Sequence, residues 1–323
     1  MNAVVVRAGD GVRSLGAVGA GLLLALAVEL LFFGLKSPFF FDQVNITNIG
    51  RAMAIVGIVA VGQTIVMISG GFDLSVGSTM AAAGMLVGYL LGAGWAIAPA
   101  IVAALLLGAL VGLVNGAIVS YARINSLIAT LATLGIVRGL GFVISGGQEE
   151  IVRDDAFLEL GTAKLVGVPV IVLVMLACFA VFGLVMPRTL FGRYVYAIGS
   201  NARAAKLAGV RVERWRIAFY VTCGTLAALA GVVAVARVGS ATPTANLGAE
   251  LDVITAVILG GTSLNGGRGR LFGTFLGLLL IAILNNGLIL IDVQSYWQQV
   301  VKGAVLLVAV FWDELRRTRR DVA

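Results

Sequence analysis

The stretch Gly192-Arg-Tyr-Val-Tyr-Ala-Ile-Gly-Ser-Asn-Ala-Arg-Ala-Ala-Lys-Leu-Ala-Gly-Val-Arg-Val-Glu-Arg-Trp-Arg216 interrupts a chain that otherwise reads as membrane. It sets Arg193, Arg203, Lys206, Arg211, Arg214 and Arg216 against a single acid, Glu213. Basic residues concentrated in a short loop between apolar segments mark the cytoplasmic side of a membrane protein. Asn201 is a good cap for a helix over 202–208, and Gly209 a good stop. A short cytosolic helix between two spans is a surface for a soluble partner. The plainer alternative is a solvated basic loop that only fixes topology.

The composition supports the membrane reading. Of 323 residues, 60% are hydrophobic and 12% charged, and the mean hydropathy is +1.04. A soluble domain carries about 25% charged residues. There is no room for a soluble domain beyond short loops. The net charge of +7 does not indicate nucleic acid, because the basic residues sit beside apolar segments and the aromatic residues are too few and scattered for base stacking. The two cysteines, Cys178 and Cys223, both fall in apolar runs, which argues against a disulfide framework or a metal site. Histidine is absent. Arg7 and Arg13 precede the first apolar run, as in a signal peptide. That run reaches Lys36-Ser-Pro without a small-residue cleavage site, so an uncleaved first span is expected.

Apolar segments lie near 17–35, 50–69, 75–92, 95–119, 126–145, 167–186, 215–237, 250–264, 270–291 and 297–313. Most have the roughly 17–25 residues that cross a bilayer as helix. The segment 250–264 is short and reads as a broken or partly re-entrant helix. The expected fold is therefore an all-α polytopic membrane protein of about ten transmembrane helices. With the N-terminus inside, sixteen of the 23 basic residues fall on the inner side, and the outer loop 147–166 is acidic. This predicts N-in and C-in. Its parts are a cytoplasmic tail over 1–16, a transmembrane domain over 17–313 with a cytoplasmic loop at 188–216, and a second tail over 314–323.

A weak internal repeat matches Ile68-Ser-Gly-Gly-Phe-Asp-Leu-Ser-Val-Gly77 with Ile258-Leu-Gly-Gly-Thr-Ser-Leu-Asn-Gly-Gly267. Each copy ends one apolar segment and begins another, and both fall on the inner side. Chance competes with duplication in a chain holding 43 glycines. Broken helices at matching positions are where transporters place their pathway.

Charges inside the membrane are costly and usually functional. Glu29, Asp73, Arg138 and Lys302 qualify. Asp73 is placed to cap the helix that follows it. Arg138 and Lys302 are expected to snorkel outward. Asn115, Asn285 and Asn286 are expected to bond between helices. No catalytic set and no phosphate loop of the form Gly-x-x-x-x-Gly-Lys-[Ser/Thr] is present. That leaves a passive channel, a secondary carrier, or a transporter energised by another subunit; a membrane-embedded enzyme is disfavoured.

Several stretches together resemble a known family. They are Gly70-Gly-Phe-Asp-Leu-Ser-Val-Gly-Ser78, Leu127-Ile-Ala-Thr-Leu-Ala-Thr-Leu134 with Arg138-Gly139, Gly192-Arg-Tyr with Gly199-Ser-Asn and Gly209, Glu250-Leu-Asp252, Gly260-Gly-Thr-Ser-Leu-Asn-Gly-Gly267, and Leu284-Asn-Asn-Gly-Leu288 with Ser295-Tyr-Trp-Gln298. They are similar to the permease subunit of bacterial ABC importers for ribose and other monosaccharides, a group that includes autoinducer-2 and nucleoside importers. The likeness runs from about residue 38 to 312 in the family's order. Phe72, where the family often has Ile, and the loop 147–166 depart from the pattern. The resemblance implies a homodimer in the bacterial inner membrane, a cytoplasmic ATPase that binds ATP and magnesium, and a periplasmic substrate-binding protein. No cofactor is expected on this chain. The family's ATPase-contacting loop matches 199–209, with Gly199, Asn201, Arg203, Ala204, Ala205 and Gly209 as coupling residues. Ala204 and Ala205 are expected to present small side chains to the ATPase. The expected pathway residues are Gly70, Gly71, Asp73, Ser75, Gly260, Gly261, Thr262, Ser263, Asn285 and Asn286.

Overall fold

The structure, a computed structural model, describes residues 8–321. Twelve helices are found among them: α1 (Ala8–Lys36), α2 (Gln43–Ile68), α3 (Val76–Gly92), α4 (Ile97–Tyr121), α5 (Ser126–Ser145), α6 (Asp155–Thr162), α7 (Val170–Arg188), α8 (Leu190–Leu207), α9 (Val212–Val238), α10 (Ala249–Leu259), α11 (Leu271–Leu290) and α12 (Ser295–Asp321). The two-residue strands β1 (Glu150–Ile151), β2 (Lys164–Leu165), β3 (Val168–Pro169) and β4 (Ser240–Ala241) pair antiparallel, β1 with β4 and β2 with β3. All ten apolar segments are helices, and α6 and α8 are additional. Six helices (α2, α4, α5, α7, α9 and α11) are long and apolar enough to cross a membrane, and α3 and 295–311 are shorter apolar helices. The chain is an all-α polytopic membrane protein. Residues 1–7 and 322–323 of the two expected tails lie outside the described residues; the rest of each tail continues α1 and α12 as helix.

Helices α2 and α9 form the middle of the bundle. In its most apolar window α2 is 78% buried, against 17% for α7, which faces outward. Small residues let the inner helices close on one another, as expected where lipid offers no hydrophobic drive. Gly108, Gly112 and Gly116 form one stripe of α4 laid against α9. A Cβ at these positions would fall 2.3 Å from the Gly224 oxygen, 2.2 Å from the Tyr220 oxygen and 2.7 Å from the Ile217 Cα. Cys223 sits at the α2–α9 crossing beside Gly62, and both cysteines are free. The loop 147–166 is folded, not open. Phe157 of α6 is fully buried, and Gly161 seats α6 against the Ala236 carbonyl.

The short segment after α9 is the main irregularity. Helix α10 has 11 residues, about 16 Å at 1.5 Å per residue, half of a hydrocarbon core of about 30 Å. The chain reaches it through 242–248, and Arg138 of α5 donates from Nη1 to the carbonyls of Pro243 and Ala245, each at 2.8 Å. Irregular backbone at membrane depth persists only where its polar groups find protein partners. Arg138 therefore does not snorkel as expected; it holds the irregular segment 242–248. Lys302 does not snorkel either. Its Nζ lies 2.8 Å from Asp252 Oδ2, tying α12 to α10. Asp313 ties α12 a second time, accepting from the Leu264 amide at 3.2 Å. Glu29 keeps one carboxylate oxygen buried without a hydrogen bond among the described residues.

Candidate translocation and coupling site

The two glycine turns meet. The Gly267 amide donates to the Ile68 carbonyl at 2.7 Å, and Gly266 packs on Gly70, whose Cα would lie 2.7 Å from an added Cβ. Helix α8 closes the junction from a third side. A Cβ on Gly199 would sit 1.8 Å from the Ile68 oxygen and 2.6 Å from the Gly267 nitrogen. Tyr196, one turn earlier on α8, donates to the Gly269 carbonyl at 2.9 Å. Burial raises the Tyr196 phenol above its ordinary value, so it stays a neutral donor. The stretch that interrupts the membrane pattern thus rests on both turns at once.

The turns share a helix ending. Ser69 and Gly260 cap α2 and α10, and Gly70 and Gly261 follow with φ of 84° and 85°. The next amides return to the helix: Gly71 to Val66 at 3.0 Å, and Thr262 to Val257 at 3.2 Å. This is the ending in which glycine supplies the left-handed residue. Gly70 corresponds to Gly261, one residue out of the register of the sequence repeat, which pairs Gly70 with Gly260. Beyond the endings the turns diverge. The first enters α3 after Ser75, whereas the second runs on to Arg270 with Gly266, Gly267 and Gly269 also at positive φ.

Above the first turn lies a buried polar cluster. Asp73, 1% exposed, accepts at Oδ1 from the Ser75 amide (2.9 Å) and hydroxyl (2.6 Å). Asn115 of α4 donates from Nδ2 to Ser75 Oγ at 2.8 Å and to Asp73 Oδ1 at 3.4 Å. Asp73 closes the turn two residues ahead instead of capping α3, whose cap Ser75 makes no side-chain capping bond. Ser126 and Thr130 of α5 accept from the Phe72 and Leu74 amides, and the Tyr220 hydroxyl of α9 donates to the Phe72 carbonyl. Three helices, α4, α5 and α9, thus fix one turn. In the second turn Thr262 is fully buried with its hydroxyl unpartnered among the described residues, and Ser263 Oγ accepts from the Asn265 amide.

Asn285 and Asn286 do not join the turns. Asn285 reaches Asp252 at 3.5 Å, beside Lys302, and Asn286 donates to Asn45 Oδ1 at 2.9 Å. Both bond between helices, one on α10 and one on α2.

Helix α8 is longer than the 202–208 helix expected. It starts at Leu190 and breaks at Asn201 (φ −161°, ψ 94°). Asn201 Oδ1 accepts from the Ala204 amide at 2.9 Å, which caps the second arm as expected. Gly209, at φ 86°, ends that arm, with the Gly209 and Val210 amides returning to Lys206 and Ala205. One expectation fails. Ala205 is 7% exposed and packs inward, so its side chain is not presented to a partner. The outward side chains of this arm are Arg203, Ala204, Lys206 and Leu207, the last 85% exposed. Lys206 is paired with Glu213 of α9. Sequence reasoning gave no role to Tyr196 and quoted Gly266 and Gly267 only as letters of a repeat; their roles come from the contact between distant segments.

Comparison with known proteins follows the same span. Residues 45–310 match the family described as branched-chain amino acid transport system / permease component. The ribose import permease protein RbsC of Escherichia coli (strain K12) is 42% identical over 299 residues, covering 91% of this chain and 93% of that protein. RbsC of Bacillus subtilis (strain 168) is 40% identical over 295 residues, covering 91% and 92%. The L-arabinose transport system permease protein AraH of Escherichia coli (strain K12) is 39% identical over 297 residues, covering 92% and 90%. No solved structure matches. With the matched span running from α2 into α12 and taking in both turns and the α8 arm, the chain belongs to this family of transport-system permease components.

Proposed function

We propose that this chain forms the solute path of an ATP-driven importer for a monosaccharide of the ribose or arabinose kind, as one of two copies. ATP and magnesium bind a separate cytoplasmic ATPase, and a periplasmic binding protein delivers the sugar. The observation that carries this reading is the seating of α8 on both glycine turns: Gly199 stands against Ile68 and Gly267, so a push on α8 is passed to α2 and to the loop before α11. The relatives' names supply the substrate class. On this reading Gly70, Gly71, Asp73, Ser75, Gly260, Gly261, Thr262 and Ser263 form the moving inner end of the pathway. Asn285 and Asn286 then hold its walls together.

The test is transport by purified components. The chain alone in proteoliposomes is expected to pass no ribose or arabinose, and uptake is expected to need ATPase, binding protein and ATP together. ATP-independent flux through the chain alone would favour an independent channel or secondary carrier.

The topology we propose has ten crossings with both ends inside. The Arg138-held segment 242–248 and α10 together make the eighth crossing, from the β1–β4 pair to the second turn. Single cysteines at the exposed positions Ala156 and Ala204 are expected to react from opposite sides, in a background of Cys178→Ser and Cys223→Ala. Reaction of both with a membrane-impermeant reagent from outside would overturn the ten-crossing arrangement.

A further inference from the structure

A cavity of about 640 Å³ opens between the first glycine turn, the α4–α5 turn, the second arm of α8 and the start of α9. Its walls are mixed, with Val119, Ile124 and Val212 beside a group of charged side chains. Arg123 comes from the α4–α5 turn, Arg203 and Lys206 from α8, and Arg216 and Glu213 from α9. Glu213 is already engaged by Lys206. Among the described residues no hydrogen bond or ion pair engages the guanidiniums of Arg123, Arg203 or Arg216. Two helix N-termini also border the space, α5 through Asn125 and Ser126 and α9 through Val212 and Glu213. Such ends carry partial positive charge. Deeper in the wall, Ser120 Oγ has no hydrogen-bond partner, and the residue is only 7% exposed. A buried hydroxyl without a partner is a cost that a ligand oxygen would remove.

We propose that this cavity binds a phosphate monoester or diester carried by a small polar molecule. Guanidinium forks match phosphate oxygens in pairs of charge-assisted hydrogen bonds. Guanidiniums supplied by three elements suit a tetrahedral phosphate, whose oxygens point in several directions, better than a planar carboxylate. The volume lies in the range of small-molecule sites, about 300–1,000 Å³, which leaves room for a sugar or a glycerol beyond the phosphate. The ligand would clamp the α8 arm to the α4–α5 turn beside Gly70 and Gly71, so its binding would slow any motion of α8 relative to the first turn. The binding site itself does not depend on the sugar-import reading; the effect on uptake does.

The shared chemistry has two sources, a free sugar phosphate and an anionic lipid headgroup. The full chain in nanodiscs of pure phosphatidylcholine would be titrated calorimetrically with ribose 5-phosphate, inorganic phosphate and ribose. Thermal melting would be compared between those nanodiscs and ones containing phosphatidylglycerol. Ribose 5-phosphate is expected to bind and ribose not. Arg123→Gln and Arg216→Gln are each expected to weaken binding by about tenfold or more, the loss of a charge-assisted pair, and Ser120→Ala by a few-fold. Arg211→Gln and Arg214→Gln, basic but without a place among the guanidiniums lining this cavity, are expected to change nothing. Stabilisation by phosphatidylglycerol alone, lost in Arg123→Gln, would also support the site and assign its phosphate to lipid. The proposal is overturned if neither source binds, or if Arg211→Gln and Arg214→Gln weaken binding as much as Arg123→Gln, because diffuse surface charge would then account for it.

Discussion

Gly199→Val is expected to bring ATP-dependent uptake in the reconstituted importer to background. At this position a Cβ would fall 1.8 Å from the Ile68 oxygen, 2.6 Å from the Gly267 nitrogen and 2.9 Å from the Ile68 carbonyl carbon. These are backbone atoms, so no side chain can turn aside to make room. Overpacking a core commonly costs about 1–3 kcal/mol through side-chain shifts; here the relief must come from moving α8 off the turns. That would lengthen or break the 2.7 Å bond from Gly267 to Ile68 and the Tyr196 bond to Gly269. Insertion should survive, because the apolar helices that partition into lipid are untouched. Gly183→Val on α7 serves as the control, since a Cβ there meets nothing within 4 Å. Uptake and the elution profile of the detergent-extracted protein would be measured together. Parental uptake in Gly199→Val would mean that α8 does not need its seat on the turns, and coupling would have to run elsewhere.

The same junction marks where the sequence stops being legible. The helices could be read because each is a long apolar run, and the α8 arm because Asn201 and Gly209 are local signals. Gly70 and Gly261 were visible as glycines, but their register was not. The repeat aligns letters across the whole turn, whereas the shared physics is confined to a helix ending that needs one left-handed residue. Arg138 and Lys302 were misread for a related reason. Snorkelling is the default for a cation on an isolated helix, and sequence alone gives no hint that 242–248 packs beside α5 or that Asp252 stands opposite α12. Ala205 failed on a matter of angle. Ala204 and Ala205 are equally small, and only the direction set by the break at Asn201 decides which one points outward. Asn115 was recognised as polar within a span, but its partners, Asp73 and Ser75, lie some forty residues away.

Leu207→Asp is expected to release the ATPase from the permease and to stop uptake while leaving the permease folded. Leu207 is 85% exposed at the end of the α8 arm, where a charged side chain is not penalised by the permease itself. On the docking reading, Leu207 is the apolar side chain of this arm that a partner would cover. If Leu207 is one of the few side chains that anchor the interface, its loss costs about 2 kcal/mol or more, which corresponds to about a thirtyfold loss of affinity. Burying an aspartate in the partner's apolar pocket adds a desolvation cost to that loss. Arg203→Gln, by contrast, removes a solvated charge worth about 0–1 kcal/mol and should mainly alter the salt dependence of association. Ala205→Trp separates docking from folding. Ala205 is buried against the permease core, so the indole must displace the arm and is expected to lower the melting temperature of the permease alone. Co-purification of the ATPase, melting of the isolated permease and ATP-dependent uptake would be recorded for all three variants. An ATPase that still co-purifies with Leu207→Asp at the parental ratio, with full uptake, would exclude this arm as the docking contact and leave its basic residues with a topological role.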